Sequence, residues 1–98
     1  MTMQLTKNET ALTVALEGRL DTMTAPELEE MLKDALVGVD ALTFDFEKLD
    51  YISSAGLRVL LSAQKKMQKI GSMKVVGVCA EVMEVFEMTG FADILVIE

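Results

Sequence analysis

The sequence predicts an α/β fold: a mixed, mostly parallel β-sheet with helices packed against it, in the order ββαβαβα, closed by a short apolar C-terminal segment. Three observations predict it. The spacing of apolar residues switches several times between a period of about 2 and one of about 3.6. The single Pro and the six Gly fall mainly where the period changes. After an opening pair of strands, helix-like and strand-like segments alternate, which favours parallel strands with helices laid on the sheet. Length and composition agree. A chain of 98 residues fits one domain, 1–98, and its 51% hydrophobic content is enough to bury a core.

Met3 to Thr6 reads as a short strand, with Lys7-Asn8-Glu9 supplying the turn after it. From Thr10 to Leu20, Leu12, Val14 and Leu16 alternate with Thr13, Ala15 and Glu17, the pattern of a half-buried strand. The first helix is expected over 24–37. Thr24 and Glu27 have capping-box spacing, and Pro26 suits a first turn where its missing N–H has no partner. Leu28, Met31, Leu32, Ala35 and Leu36 then form one apolar stripe, and Gly38 stops it. Leu42, Phe44 and Phe46 alternate with Thr43 and Asp45 as a third strand.

A second helix is expected over 54–70, with Leu57, Leu60, Leu61, Met67 and Ile70 buried and Arg58, Ser62, Lys65 and Lys69 on the opposite side. The continuous apolar run from Met73 to Val78 suggests a strand covered on both sheet faces. Val82, Val85, Phe86 and Thr89 mark a third helix over 80–89, closed by Gly90. Ile94 to Ile97 fits either a last short strand or an apolar tail on the sheet. The expected core includes Leu28, Leu32, Phe44, Phe46, Leu57, Leu60, Val76 and Phe86.

Charge and composition exclude several function classes. Nine Lys+Arg against 16 Asp+Glu give a net charge of −7, which argues against nucleic acid and against an anionic membrane surface, both of which bind through clustered cations. One cysteine, Cys79, allows no internal disulfide and reads as a small buried hydrophobe. With no histidine, soft-metal sites and histidine-based nucleophilic triads lack their ligands and bases. No apolar run approaches the roughly 18 residues of a membrane span, and Met1 to Thr6 lack the order of a signal peptide. A cytoplasmic binding protein without metal or cofactor is expected, and not an enzyme. The paired carboxylates, such as Glu29-Glu30, fall on exposed helix faces away from any polar pocket.

The segment from Leu49 to Leu61 holds the most chemistry. A strand ends, Ser53, Ser54, Ala55 and Gly56 pass, and an apolar helix begins. Hydroxyls at that point either cap free helical N–H groups or mark an anion site or a modified serine, since a phosphate there meets the positive end of the helix. The residues alone leave both open. The cations Arg58, Lys65, Lys66 and Lys69 likewise read as a solvated face or as a partner patch beside Ser54. The eight Met read as adaptable core filler.

Ile52-Ser53-Ser54-Ala55-Gly56-Leu57 resembles the central signature of STAS domains of the bacterial anti-sigma factor antagonist type. Glu17-Gly18-Arg19-Leu20-Asp21 with Thr24-Ala25-Pro26-Glu27-Leu28 is similar to that family's second strand and first helix start. Lys74-Val75-Val76-Gly77 and Val85-Phe86-Glu87-Met88-Thr89-Gly90 resemble its fourth strand and third helix. The resemblance implies a partner switch. An unmodified antagonist binds an anti-sigma factor with serine kinase activity and frees a sigma factor; phosphorylation breaks the complex, and a metal-dependent protein phosphatase restores it. By position the phosphoacceptor is Ser54. Ser53, standing where well-known members carry an acidic residue, is a second candidate. The implied partner surface comprises Asp21, Thr22, Ser53, Ser54, Ala55, Gly56 and Arg58. Two other STAS roles remain open: an unphosphorylated adaptor subunit of a lipid-transport or signalling complex, and a module that binds a nucleotide or small anion.

Overall fold

Period-two alternation builds the sheet. In the computed structural model, which describes every residue from Met1 to Glu98, β1 (Thr2–Asn8) runs antiparallel to β2 (Ala11–Leu20). β2 then pairs in parallel with β3 (Ala41–Ile52), and β3 in parallel with β4 (Ser72–Val76), so the strands stand in the order β1-β2-β3-β4. β1 is longer than Met3–Thr6. Lys7 and Asn8, expected in the turn, pair with Leu12 and Ala11 instead. An edge strand is held by backbone hydrogen bonds, which polar residues make as well as apolar ones. The turn falls on Glu9 and Thr10, with Glu9 in the left-handed region at φ 57°.

In-register partners share a face. Leu12, Val14 and Leu16, Leu42, Phe44 and Phe46, and Met73 and Val75 are all buried on one side. That side carries α1 (Ala25–Ala35), α2 (Ser54–Ile70) and α3 (Ala80–Thr89), whose buried residues join a single 24-residue core. Phe46 links sheet and helix through Phe86, with ring centroids 6.5 Å apart. The other face is open: Thr13, Ala15, Thr43, Asp45 and Val76 are half-buried and Lys74 is exposed. The expectation of a two-sided cover for Met73–Val78 is therefore corrected. Lys74 breaks the run, Gly77 ends it at φ +70°, and Val76 pairs with Asp45 on the open face, outside the core.

The helices end close to their expected bounds, and Leu28, Leu32, Phe44, Phe46, Leu57, Leu60 and Phe86 are buried as expected. Leu61, expected in the buried stripe of α2, is only half-buried because Val59 and Ala63 take that side, and two further residues depart. Ile70 is 54% exposed and lines a groove beside Val37 instead of the core, while Val59, Ala63 and Gln64 complete the buried side of α2. Cys79 is half-buried, because it occupies the N-cap of α3 with its thiol 3.5 Å from the Leu49 carbonyl. The C-terminal segment combines both expected roles. After a 3₁₀ turn at Phe91–Asp93, Leu95 packs into the core and Ile97 makes one parallel bridge to Val75.

Candidate functional site

The carboxyl ends of β2 and β3 lie side by side, with Leu20 paired to Ile52. A helix starts after each. The Ser53 N–H donates to the Leu20 carbonyl at 2.9 Å, so the two strand-to-helix turns are tied together. Beneath them, the α carbon of Gly56 sits so close that an added Cβ would come 2.7 Å from Leu20 Cγ and 2.9 Å from Ile52 Cγ1. That contact explains the glycine: α2 can begin this near the strands only without a side chain there.

The turn before α1 is fully bonded within itself. Asp21 Oδ1 accepts the N–H groups of Met23 and Thr24 at 3.0 and 3.1 Å. The Thr24 hydroxyl accepts the Asp21 N–H at 2.9 Å and donates to the Arg19 carbonyl at 2.8 Å. This is a reciprocal capping box, shifted three residues upstream of the expected Thr24–Glu27 pair. Thr24 itself has helical backbone angles and makes no cap bond to the helix that follows. These hydrogen bonds, led by the one from the Met23 N–H, hold the Asp21 carboxyl below the usual aspartate range; the nearby Arg19 guanidinium acts in the same direction. Arg19 lies 3.8 Å from Asp21 Oδ2 and 4.1 Å above the ring of Tyr51, its in-register neighbour on β3.

The turn before α2 is barely bonded. Ser53 is its N-cap, in extended conformation and half-buried, and its hydroxyl accepts the Gly56 N–H at 3.4 Å. Ser54 takes the first helical position and is exposed. No acidic residue occupies the first turn of α2, whereas α1 has Glu27 and α3 has Glu81 there. Arg58 is exposed and stands four residues after Ser54, which puts the two on one side of the helix. The two serines thus take different roles that spacing alone leaves open. Ser53 spends its hydroxyl on the helix, and Ser54 offers its own to solvent.

Residues 2–98 match the family model for the STAS domain. The chain belongs to the STAS domain family. BtrV of Bordetella bronchiseptica, provisionally named an anti-sigma factor antagonist, is 34% identical over 96 residues, covering 96% of this chain and 83% of that protein. The anti-sigma-B factor antagonist of Listeria monocytogenes is 30% identical over 91 residues, covering 87% of this chain and 76% of its own. Among solved structures, the phosphorylated form of the Bacillus cell fate determinant SpoIIAA superposes with a TM-score of 0.78 at 18% identity, over 99% of this chain and 91% of that one. That last likeness concerns the fold.

Within this STAS domain the residues singled out from sequence separate by accessibility. Thr22, Ser54 and Arg58 are exposed, Asp21, Ser53 and Ala55 are half-buried, and Gly56 is buried beneath the turn. Gly56 shapes the surface without forming part of it. Two exposed features escaped the sequence reading. Met23, 81% exposed in the β2–α1 turn, is one; its placement among Asp21, Thr22 and Thr24 was the available signal. The Arg19–Tyr51 stack is the other, and it depends on cross-strand register that no local pattern reveals. The four cavities of the molecule all lie away from Ser53 and Ser54. No helix is long and apolar enough to cross a membrane, and no three Cys, Asp or Glu side chains converge as metal ligands.

Proposed function

We propose that this STAS domain is a cytoplasmic anti-sigma factor antagonist switched at Ser54. In the unmodified state it docks on an anti-sigma factor with serine kinase activity, which thereby gives up its sigma factor. The kinase transfers the γ-phosphoryl of ATP to the Ser54 oxygen, the hydroxyl proton and ADP depart, and the complex dissociates. A metal-dependent protein phosphatase hydrolyses the ester and restores binding. Asp21, Thr22, Ser53, Ala55 and Arg58 surround the acceptor as the docking surface, on the open shelf formed by the two turns.

The observation that carries this reading is the exposure of Ser54 at the first position of a helix whose first turn lacks acidic residues. In a chain of net charge −7, that spot accepts a phosphoryl group without a carboxylate of its own turn opposing it. The names of the relatives support the same role. A flat surface without a cavity suits a protein partner better than a nucleotide or small anion.

Phosphorylation adds about −1.5 to −2 charge at pH 7. At the N-terminus of α2 this leaves the fold intact. At the interface, a partner fitted to a neutral serine has to desolvate a dianion or leave it unpaired, at several kcal/mol. Since each 1.4 kcal/mol is tenfold, affinity should drop on the order of 100-fold or more. Calorimetric titration of the anti-sigma factor with Ser54→Asp and Ser54→Ala tests this, with melting curves as the folding control. The aspartate variant should bind far more weakly and the alanine variant like wild type. Equal affinities, or tighter binding by Ser54→Asp, rule the mechanism out.

A further inference from the structure

The lysines of α2 do not sit beside Ser54. Lys65 and Lys69 lie about 16 and 22 Å from it along the helix axis at 1.5 Å per residue. With Lys66, and with Lys33 reaching from α1, they line a groove of about 510 Å³ between the C-terminal halves of the two helices. Its apolar lining includes Val37 and Ile70, 72% and 54% exposed.

An ordinary solvated face does not account for this arrangement. The chain holds 16 carboxylates to nine cations, yet its three ion pairs are Arg19–Asp21, Lys33–Glu30 and Lys74–Glu98. Lys65, Lys66 and Lys69 form no ion pair, although Glu29 lines the adjoining end of the groove with Lys33 and Lys66. Lys65 and Lys69 are four residues apart and Lys66 and Lys69 three, so their like charges repel along one side of the helix. The negative C-terminal end of α2 favours a cation in its last turn. That preference accounts for Lys69 on α2 and, with its Glu30 pair, for Lys33 on α1, but it explains neither Lys65 and Lys66 nor two large apolar side chains left in water.

We propose that this groove docks an acidic segment of a protein partner, one with apolar side chains interleaved among its carboxylates. The carboxylates meet Lys33, Lys65, Lys66 and Lys69, and the apolar side chains cover Val37 and Ile70. Charge decides against an anionic membrane. A broad lipid surface faces the whole chain at −7, whereas a narrow segment in the groove meets three ammonium groups outside any ion pair, those of Lys65, Lys66 and Lys69, at separations that a Debye length of about 10 Å does not screen. The site is remote from the Ser54 turn and independent of the switch.

The experiment is a titration of the isotopically labelled full chain with a synthetic amphipathic peptide of Glu and Leu, followed by NMR, alongside phosphatidylserine vesicles. Amide shifts should concentrate at Val37, Ser62, Lys66 and Ile70, leave Ser54 and Arg58 unmoved, and fade with added salt. The double variant Lys65→Glu/Lys69→Glu, exposed at both positions, should bind about tenfold more weakly or worse. The wild-type shift map stands by itself if that variant folds poorly. Absence of saturable peptide binding, equal binding by the folded variant, shifts centred on Ser54, or binding to vesicles but not to peptide would overturn the proposal.

Discussion

The starts of α1 and α2 stand on neighbouring strand ends and solve the same problem in opposite ways. Each helix begins with backbone N–H groups that have no carbonyl partner. Before α1, the Asp21 and Thr24 side chains bond the N–H groups of the turn itself, those of Asp21, Met23 and Thr24, at 2.9–3.1 Å, and the Thr24 hydroxyl donates to the Arg19 carbonyl at 2.8 Å. Before α2 there is one long side-chain bond, from the Gly56 N–H to the Ser53 hydroxyl at 3.4 Å, and an exposed hydroxyl beside it. The first turn holds its own anion, the Asp21 carboxylate, while the second holds none. A closed turn can serve as a fixed edge of a docking surface. An open one can accept a charge that arrives later, and that is where the proposed switch lies.

The comparison can be broken from below. Leu20 is fully buried under both turns, so Leu20→Ala should cost about 2–5 kcal/mol and loosen both together. Chemical denaturation gives the energy, and amide exchange should show protection lost at Thr24 and Gly56 alike. Gly56→Ala acts on one side only. Its methyl group collides with Leu20 and Ile52, and overpacking of that kind costs roughly 1–3 kcal/mol. The same exchange measurement should show the α2 start loosened while the Asp21–Thr24 box stays protected.

Asp21→Ala removes the closed cap and should lower the melting temperature at neutral pH. Its pH dependence has a definite sign. The folded state holds the Asp21 carboxyl below its ordinary range, so the stabilisation is complete at neutral pH and is lost as pH falls through about 4 and below. Melting curves of wild type and Asp21→Ala should therefore converge in acid. Ser53→Ala has the smallest effect. A cap bond of 3.4 Å belongs at the low end of the range, about 0.5–1 kcal/mol, and Ser54→Ala should leave stability unchanged. Urea titrations of the two serine variants side by side separate cap from acceptor.

Much of this was legible in the residues. The bounds of α2 and α3 follow from apolar spacing and from the glycines that end each helix, and the run from Ile52 to Leu57 located the candidate turn. What stayed hidden has physical causes. Asp21–Thr24 and Thr24–Glu27 share the same three-residue spacing, so pattern alone misplaces the box; the backbone decides which residue turns first. Val76 extends an apolar run, yet a strand sends neighbours to opposite faces and its register with Asp45 turns it outward. Ile70 keeps the helical period of Met67 but lines the groove between α1 and α2. Which serine caps and which is free depends on the residue at which the chain leaves the extended conformation, here Ser53, and no spacing rule fixes that residue.

The most direct test of the difference between the two serines is to map the phosphate. Incubation of wild type, Ser53→Ala and Ser54→Ala with the cognate kinase and ATP, followed by mass spectrometry of the peptides, should place one phosphoryl group on Ser54 in wild type and in Ser53→Ala, and none in Ser54→Ala. A phosphate on Ser53, or none from a kinase that demonstrably binds the chain, would contradict the account.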